Sequence, residues 1–199
     1  MYLIFDTETT GLPNKFLPAS DRNQARVLQI AAVQLDEKFS MVSAIKTLIQ
    51  PDGWSVIDPK AFEAHHITLA ECQKRGAPML QVLKLLESWV NSSSVIIAHN
   101  IVFDKQMLEI ECKYFGQSPF ITENSKHKLF CTMAHSTEIC KIPHPKWPNK
   151  NKWPKVKEAY KHFMGKEPEG QHDAFGDVSA TAVIFQKLHE LGIVKVALA

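Results

Sequence analysis

The chain has 199 residues, 45% apolar and 22% charged, an ordinary globular usage that excludes a disordered or low-complexity chain. Its longest unbroken apolar run, Met1–Phe5, is far short of the roughly 20 residues that span a bilayer. The total charge of +2 hides an asymmetry: residues 126–166 hold ten lysines against Glu138 and Glu158, a local +8 that leaves −6 over the remainder, as suits a polyanionic partner met on one side or a solvated lysine-rich loop.

Met1–Thr7 is apolar and then abruptly acidic, the pattern of a central strand covered on both faces. Gly11, Pro13, Pro18 and the polar run Ser20–Gln24 mark a long loop. Arg26–Leu35 and Met41–Gln50 read as two strands of a hairpin turning at Asp36–Ser40. Short helices are expected at Pro59–His66 and Thr68–Arg75, the second led by Thr68 as N-cap, and a longer one at Pro78–Asn91. Ser94–His99 reads as a buried strand, Val102–Phe115 as a helix, and Leu129–Met133 as a weak strand leading into a helix that ends near Cys140. Pro143, Pro145, Pro148 and Pro154 predict a loop over 141–154, a Lys/Pro-rich insertion within a single domain spanning 1–199. Helices follow at about Lys155–Met164 and from Ala174 to Leu191, the latter closed by Gly192. Strands first, then strand–helix alternation, predict an α/β fold with a mixed sheet and helices on both faces.

Cysteines 72, 112, 131 and 140 form no C-x-x-C pair and no zinc spacing, so reduced, mostly buried thiols of a cytoplasmic protein are expected. Asp6 and Glu8 arrive directly behind the first apolar run with no basic segment before it, which argues against a secretory leader.

The chemistry rests on carboxylates. In a strand, Asp6 and Glu8 project to one face, and two adjacent anions at the end of a buried strand repel unless a cation joins them. A hard divalent ion with oxygen ligands suits that position. Eight aspartates and thirteen glutamates give about 0.5 such spacings by chance, so context must decide. An apolar strand lies in front, and Thr9-Thr10-Gly11 lies behind. A second element, His99-Asn100-Ile101-Val102-Phe103-Asp104, begins where a buried strand ends and puts Asp104 in the first turn of a helix, where it would also favour the helix dipole. A third, His172-Asp173-Ala174-Phe175-Gly176-Asp177, opens the last helix, which Asp173 would cap in the purely structural alternative. Together they supply four carboxylates and an imidazole at element boundaries, the inventory of a site for two Mg²⁺ or Mn²⁺ ions beside a general base.

F-D-T-E-T-T-G, H-N-x-x-F-D and H-x-A-x-x-D, in this order from position 5 to 177, resemble the three motifs of the DnaQ-like 3′→5′ exonucleases. His172, where the sister branch has a tyrosine pattern, selects the DEDDh branch. Ala61–Thr68 is similar to a segment of polymerase III proofreading-subunit relatives. The resemblance implies an RNase H-like fold with a mixed five-stranded sheet. It also implies a metal-dependent exonuclease that hydrolyses DNA or RNA to nucleoside 5′-monophosphates. Asp6, Glu8 and Asp177 would hold one metal. Asp6 would bridge to the second, with Asp104 contributing directly or through water, and His172 would be the base. Thr9, Gly11, Leu12, His65, Asn100 and Phe103 would meet a single-stranded 3′ end, and a polymerase or other replication or repair protein is an expected partner. The same residues would also fit a non-catalytic or polymerase-associated nucleic-acid-binding module, or an RNase H-type endonuclease. Trp147 and Trp153 interleave with Lys146, Lys150, Lys152, Lys155 and Lys157, which suits single-strand contact unless the tryptophans fold back on the core.

Overall fold

The computed structural model describes residues 1–122, 126–168 and 174–194. Its strands and helices are β1 (Tyr2–Thr9), β2 (Val27–Leu35), β3 (Met41–Leu48), α1 (Pro59–His65), α2 (Leu69–Arg75), α3 (Met79–Ser92), β4 (Val95–Ala98), α4 (Ile101–Tyr114), β5 (Lys128–Cys131), α5 (Thr132–Cys140), β6 (Pro143–His144), β7 (Trp147–Asn151), α6 (Val156–Met164) and α7 (Ala174–Glu190). The main sheet has the order β3-β2-β1-β4-β5. β1 is its central strand, antiparallel to β2 and parallel to β4. This is the mixed five-stranded α/β architecture expected from the sequence.

Strand alternation sorts the core into two layers. Leu3, Phe5, Ile96 and Ala98 pack against α3 and α4 through Leu83, Leu86, Met107 and Leu108. Tyr2, Ile4, Val95 and Ile97 face the other way, against Ala159 of α6 and Val178, Phe185 and Leu188 of α7. With both faces covered, β1 can be apolar at every position from Tyr2 to Phe5. Thr68 caps α2 in a capping box with Glu71, as its position predicts. All four cysteines are free thiols. Among the described residues, no helix is long and apolar enough to cross a membrane.

Two features depart from the sequence reading. Residues 143–151 are not a loop: β6 and β7 form a two-stranded antiparallel ribbon, with Pro143 opposite Asn151 and His144 opposite Trp147. Proline is barred from central strands because it lacks an N–H, but a two-stranded ribbon consists only of edges, where that loss is tolerated. The second is a buried ion pair. The Arg26 guanidinium donates through Nε and Nη2 to Glu111 of α4, at 3.0 and 2.7 Å. The same carboxylate accepts from the backbone N–H of Val27 at 2.8 Å. Arg26 also donates to the Asp52 carbonyl and lies 3.7 Å from the centre of the Tyr114 ring. Arg26 is 2% exposed and Glu111 is fully buried.

Removing one partner strands a buried charge, whereas removing both leaves apolar volume to be filled. Glu111→Ala is expected to cost about 3–5 kcal/mol in urea unfolding, and Arg26→Met with Glu111→Leu to recover most of that loss. A single-variant loss below about 1 kcal/mol would show that the pair does not hold β2 to α4.

Candidate active site

The site is built from the unequal lengths of β1 and β4. Their pairing covers Tyr2, Leu3 and Ile4 against Val95, Ile96 and Ile97. β4 then ends at Ala98, while β1 continues beside β2 to Thr9. The second half of β1 therefore projects past the sheet on one side, and Asp6 and Glu8 lie in that projecting half. A register shift between Glu8 and Thr9, where Val27 rather than Leu28 faces Thr9, bends the pair beside them. Bulges of this kind commonly re-aim side chains at sheet rims.

The chain leaves β4 through His99 and enters α4 at Asn100, whose φ of 78° places it in the left-handed region. That turn brings Asp104 back over β1. The Thr7 backbone N–H and hydroxyl both donate to Asp104 Oδ1, at 3.0 and 2.8 Å. Asp6 and Glu8 point to the opposite side of β1 from Thr7. There Asp177, in the first turn of α7, meets them. Asp6, Glu8 and Asp177 each offer an oxygen within 4.8 Å of the other two. Asp104 stands outside this trio, 2% exposed, with its charge felt by both Asp6 and Glu8. Four carboxylates from three distant segments thus share one end of the sheet. His172 lies outside the described residues.

Electrostatics bears on what this cluster can hold. Burial raises the Asp6 carboxyl well above its ordinary range, and the charges of Asp104, Glu8 and Asp177 add to the rise. Burial, then Asp177 and Asp104, push Glu8 up to about 7. Burial also raises Asp104, against the lowering effect of its bonds to Thr7. Among the described residues, neither Asp6 nor Glu8 forms an ion pair with a lysine or arginine. Three clustered oxygens and the repulsion between their charges fit a hard divalent cation.

Beside the carboxylates lies a cavity of about 560 Å³ lined by Thr7, Glu8, Thr9, Gly11, Leu12, Asp58, Lys60, Ala61, Ala64, His65 and Phe103. Five of the six residues expected to meet substrate line it: Thr9, Gly11, Leu12, His65 and Phe103. Asn100 is not among the lining residues and instead forms the turn into α4. The backbone N–H of Ile67 donates to His65 Nδ1 at 2.9 Å, so the neutral ring carries its proton on Nε2. That Nε2 is buried and makes no hydrogen bond of ordinary geometry. Burial lowers the His65 pKa, and the Thr9 backbone offsets part of the fall.

Sequence reasoning missed three contributors. Thr7 carries no signal beyond its place between the two acids. Asp58 accepts from the N–H groups of Lys60 and Ala61 at the start of α1, and its own N–H donates to the Thr10 carbonyl at 2.7 Å. It also sets the approach of Gly11, where an added Cβ would lie 3.3 Å from the Asp58 Cβ. Lys60 lines the same cavity. An Asp-Pro pair ahead of a helical pattern was the available signal for Asp58.

The raised Glu8 carboxyl makes metal-free stability depend on pH. Its folded pKa of about 7 lies above the ordinary value of 4.5, so the folded state holds the extra proton. Stability therefore falls as pH rises from about 4.5 through about 7. In EDTA the melting temperature is expected to be lower at pH 7.5 than at pH 5. Mg²⁺ or Mn²⁺ should raise it at the higher pH and do little at the lower, because the ligands must be deprotonated. A flat profile with no response to either ion would separate these carboxylates from cation binding.

The fold and this cluster can be set beside known proteins. No curated protein matches the chain. Among solved structures, Escherichia coli exonuclease I in complex with a dT13 oligonucleotide aligns with a TM-score of 0.73 at 19% identity, covering 94% of this chain and 40% of that one. Its complex with a dA16 oligonucleotide aligns at a TM-score of 0.72 and 19% identity, covering 95% and 40%. The zinc-bound form of its single-stranded DNA complex aligns at 0.72 and 20% identity, with the same coverage. The present chain therefore spans about two fifths of the length of these structures. The RNase_T exonuclease family matches residues 3–185, from the start of β1 into α7 and across every carboxylate of the cluster. The chain belongs to this family, the DnaQ-like exonucleases of the RNase H-like superfamily.

Proposed function

We propose that the chain is a 3′→5′ exonuclease that hydrolyses single-stranded DNA or RNA from its 3′ end and releases nucleoside 5′-monophosphates. The observation that supports this most directly is the convergence of Asp6, Glu8 and Asp177 within one ion's reach, beside a cavity large enough for a nucleotide. The oligonucleotides bound to exonuclease I structures of the same fold favour a single strand as substrate.

Two divalent cations, Mg²⁺ or Mn²⁺, are assigned to Asp6, Glu8, Asp104 and Asp177. When bound, such ions acidify the attacking water and stabilise the leaving 3′ oxygen. The protein's own share of the reaction is positioning and proton transfer. His172 takes the proton from the attacking water, since an imidazole titrates near neutral pH. Thr7 fixes the Asp104 carboxylate through two hydrogen bonds. In the cavity, the His65 Nε2–H, held near the Thr9 backbone, offers a proton to an acceptor on the terminal nucleotide. Leu12, 81% exposed at the cavity rim, and Phe103 offer apolar surface to the terminal bases. Gly11 lets backbone approach the sugar.

The direct test is digestion of 5′-labelled single-stranded DNA, single-stranded RNA and duplex with Mg²⁺, Mn²⁺ or EDTA. The expected result is a ladder shortening one nucleotide at a time from the 3′ end and suppressed by EDTA. Internal cuts from the outset, or intact substrate with either ion, would overturn the proposal. His172→Ala is expected to lower turnover by about 10²–10⁴-fold with metal binding kept. Asp6→Ala is expected to abolish turnover and weaken metal binding, measured by calorimetry.

A further inference from the structure

The β6–β7 ribbon is not explained by anything the carboxylate notch requires. Residues 139–157 hold six lysines and no acidic residue. Every residue from Pro145 to Lys150 is exposed, so the ribbon's tip stands largely in solvent. Trp147 is 59% exposed and Trp153 69%, which removes the alternative that they fold back onto the core. A two-stranded ribbon has little stability of its own, and this one is tied down at its base. There Lys152 N–H donates to the Ile142 carbonyl at 2.9 Å, and Asn151 Nδ2 donates to Glu138 at 2.8 Å.

The base is tied to the notch. The His99 ring lies 2.8 Å from the Pro154 carbonyl through Nε2 and 2.9 Å from the Thr132 hydroxyl through Nδ1. A carbonyl can only accept, so Nε2 carries the proton and Nδ1 accepts from Thr132. His99 lies two residues beyond Ile97, the last β4 residue paired with β1, as Asp6 lies two beyond Ile4. By alternation both side chains turn toward the α5–α7 face. The ribbon thus rises from the face and the sheet end that carry Asp6, Glu8 and Asp177.

The ribbon's cations are sorted by their partners. Lys152 pairs with Glu158, and Lys157 with Glu167. Among the described residues, Lys146, Lys150 and Lys155 form no ion pair. Exposed indoles flanked by unpaired ammonium groups suit a chain that offers flat bases and phosphates in alternation.

We propose that the 143–155 arm grips a single-stranded polynucleotide at a distance from the notch, with Trp147 and Trp153 stacking on bases and Lys146, Lys150 and Lys155 meeting phosphates. The arm would hold nucleotides on the 5′ side of the end being cut, a point that rests on the exonuclease reading. Binding of the strand itself does not rest on that reading.

The test is fluorescence anisotropy of the full chain in EDTA with a labelled oligothymidylate of about 20 nucleotides, longer than typical single-strand sites. Trp147→Ala with Trp153→Ala should weaken binding roughly tenfold or more, and the matching Phe pair should keep most of the affinity. Lys146→Gln with Lys150→Gln and Lys155→Gln should reduce the slope of log affinity against log salt by about 2, near 0.7 for each lost phosphate contact. Melting curves identify any variant that fails to fold, and the lysine variant, altered only at exposed positions, carries the test if the alanine pair does. Wild-type affinity and slope in the lysine variant would overturn the proposal and leave the arm to a protein partner. Equal losses in the alanine and phenylalanine pairs would overturn stacking. Hydrolysis of thymidine 5′-(p-nitrophenyl phosphate) by the wild-type chain, a substrate too small to reach the arm, reports the notch separately. Its absence would count against the exonuclease proposal alone.

Discussion

Mutual repulsion among Asp6, Glu8, Asp104 and Asp177 is the constraint to which the architecture around them answers. Four carboxylates at one end of a sheet are unfavourable in a fold without cations, and burial makes Asp6, Glu8 and Asp104 harder to ionise. They stay together because each is anchored in a framework element rather than a loop. Asp6 and Glu8 belong to the central strand, Asp104 to the first turn of α4, and Asp177 to the first turn of α7. The two core layers that clamp β1 from both faces hold the strand carrying the first pair. Functional sites often retain such local conflict because the surrounding packing over-determines the geometry.

The supports on either side of β1 differ in kind. On the α3–α4 side, Thr7 binds Asp104, and the buried Arg26–Glu111 pair joins β2 to the same helix. On the α5–α7 side, apolar packing dominates, with Phe185 meeting Tyr2 edge-on at 5.2 Å and Phe130 at the same distance. Both faces are packed with apolar side chains, and the α3–α4 face adds these directional polar bonds. Asp177 is held by the α5–α7 face and Asp104 by the α3–α4 one.

Much of the fold was legible in the sequence because period and punctuation agreed. The apolar run ending in Asp6, the helical spacing after Pro78 and the threonine before α2 each state a local preference that tertiary structure preserved. The acidic cluster was legible because Asp6 ends an apolar run inside β1 and Asp104 and Asp177 stand in first helical turns. What stayed hidden depends on partners far away in the chain. Arg26 and Glu111 are 85 residues apart, and nothing local marks either as buried. Thr7 looks like any strand threonine until Asp104 arrives. The prolines of 141–154 spoke against a ladder, yet proline is harmless in a ribbon with no interior strand, and no local rule states that the ribbon will stand alone. Thr9, Gly11, Leu12, His65 and Phe103 line one cavity beside the acidic cluster, whereas Asn100 forms the backbone turn into α4.

The unequal reach of β1 and β4 has a consequence for how such a molecule can diversify. The acidic edge is carried by the central strand and by the first turns of α4 and α7, all parts of the scaffold. The segments that border it, 11–25 and 141–155, carry little of the core. Changes in those borders therefore cost the core little, whereas the carboxylates stand on strand and helix ends that the core holds from both sides.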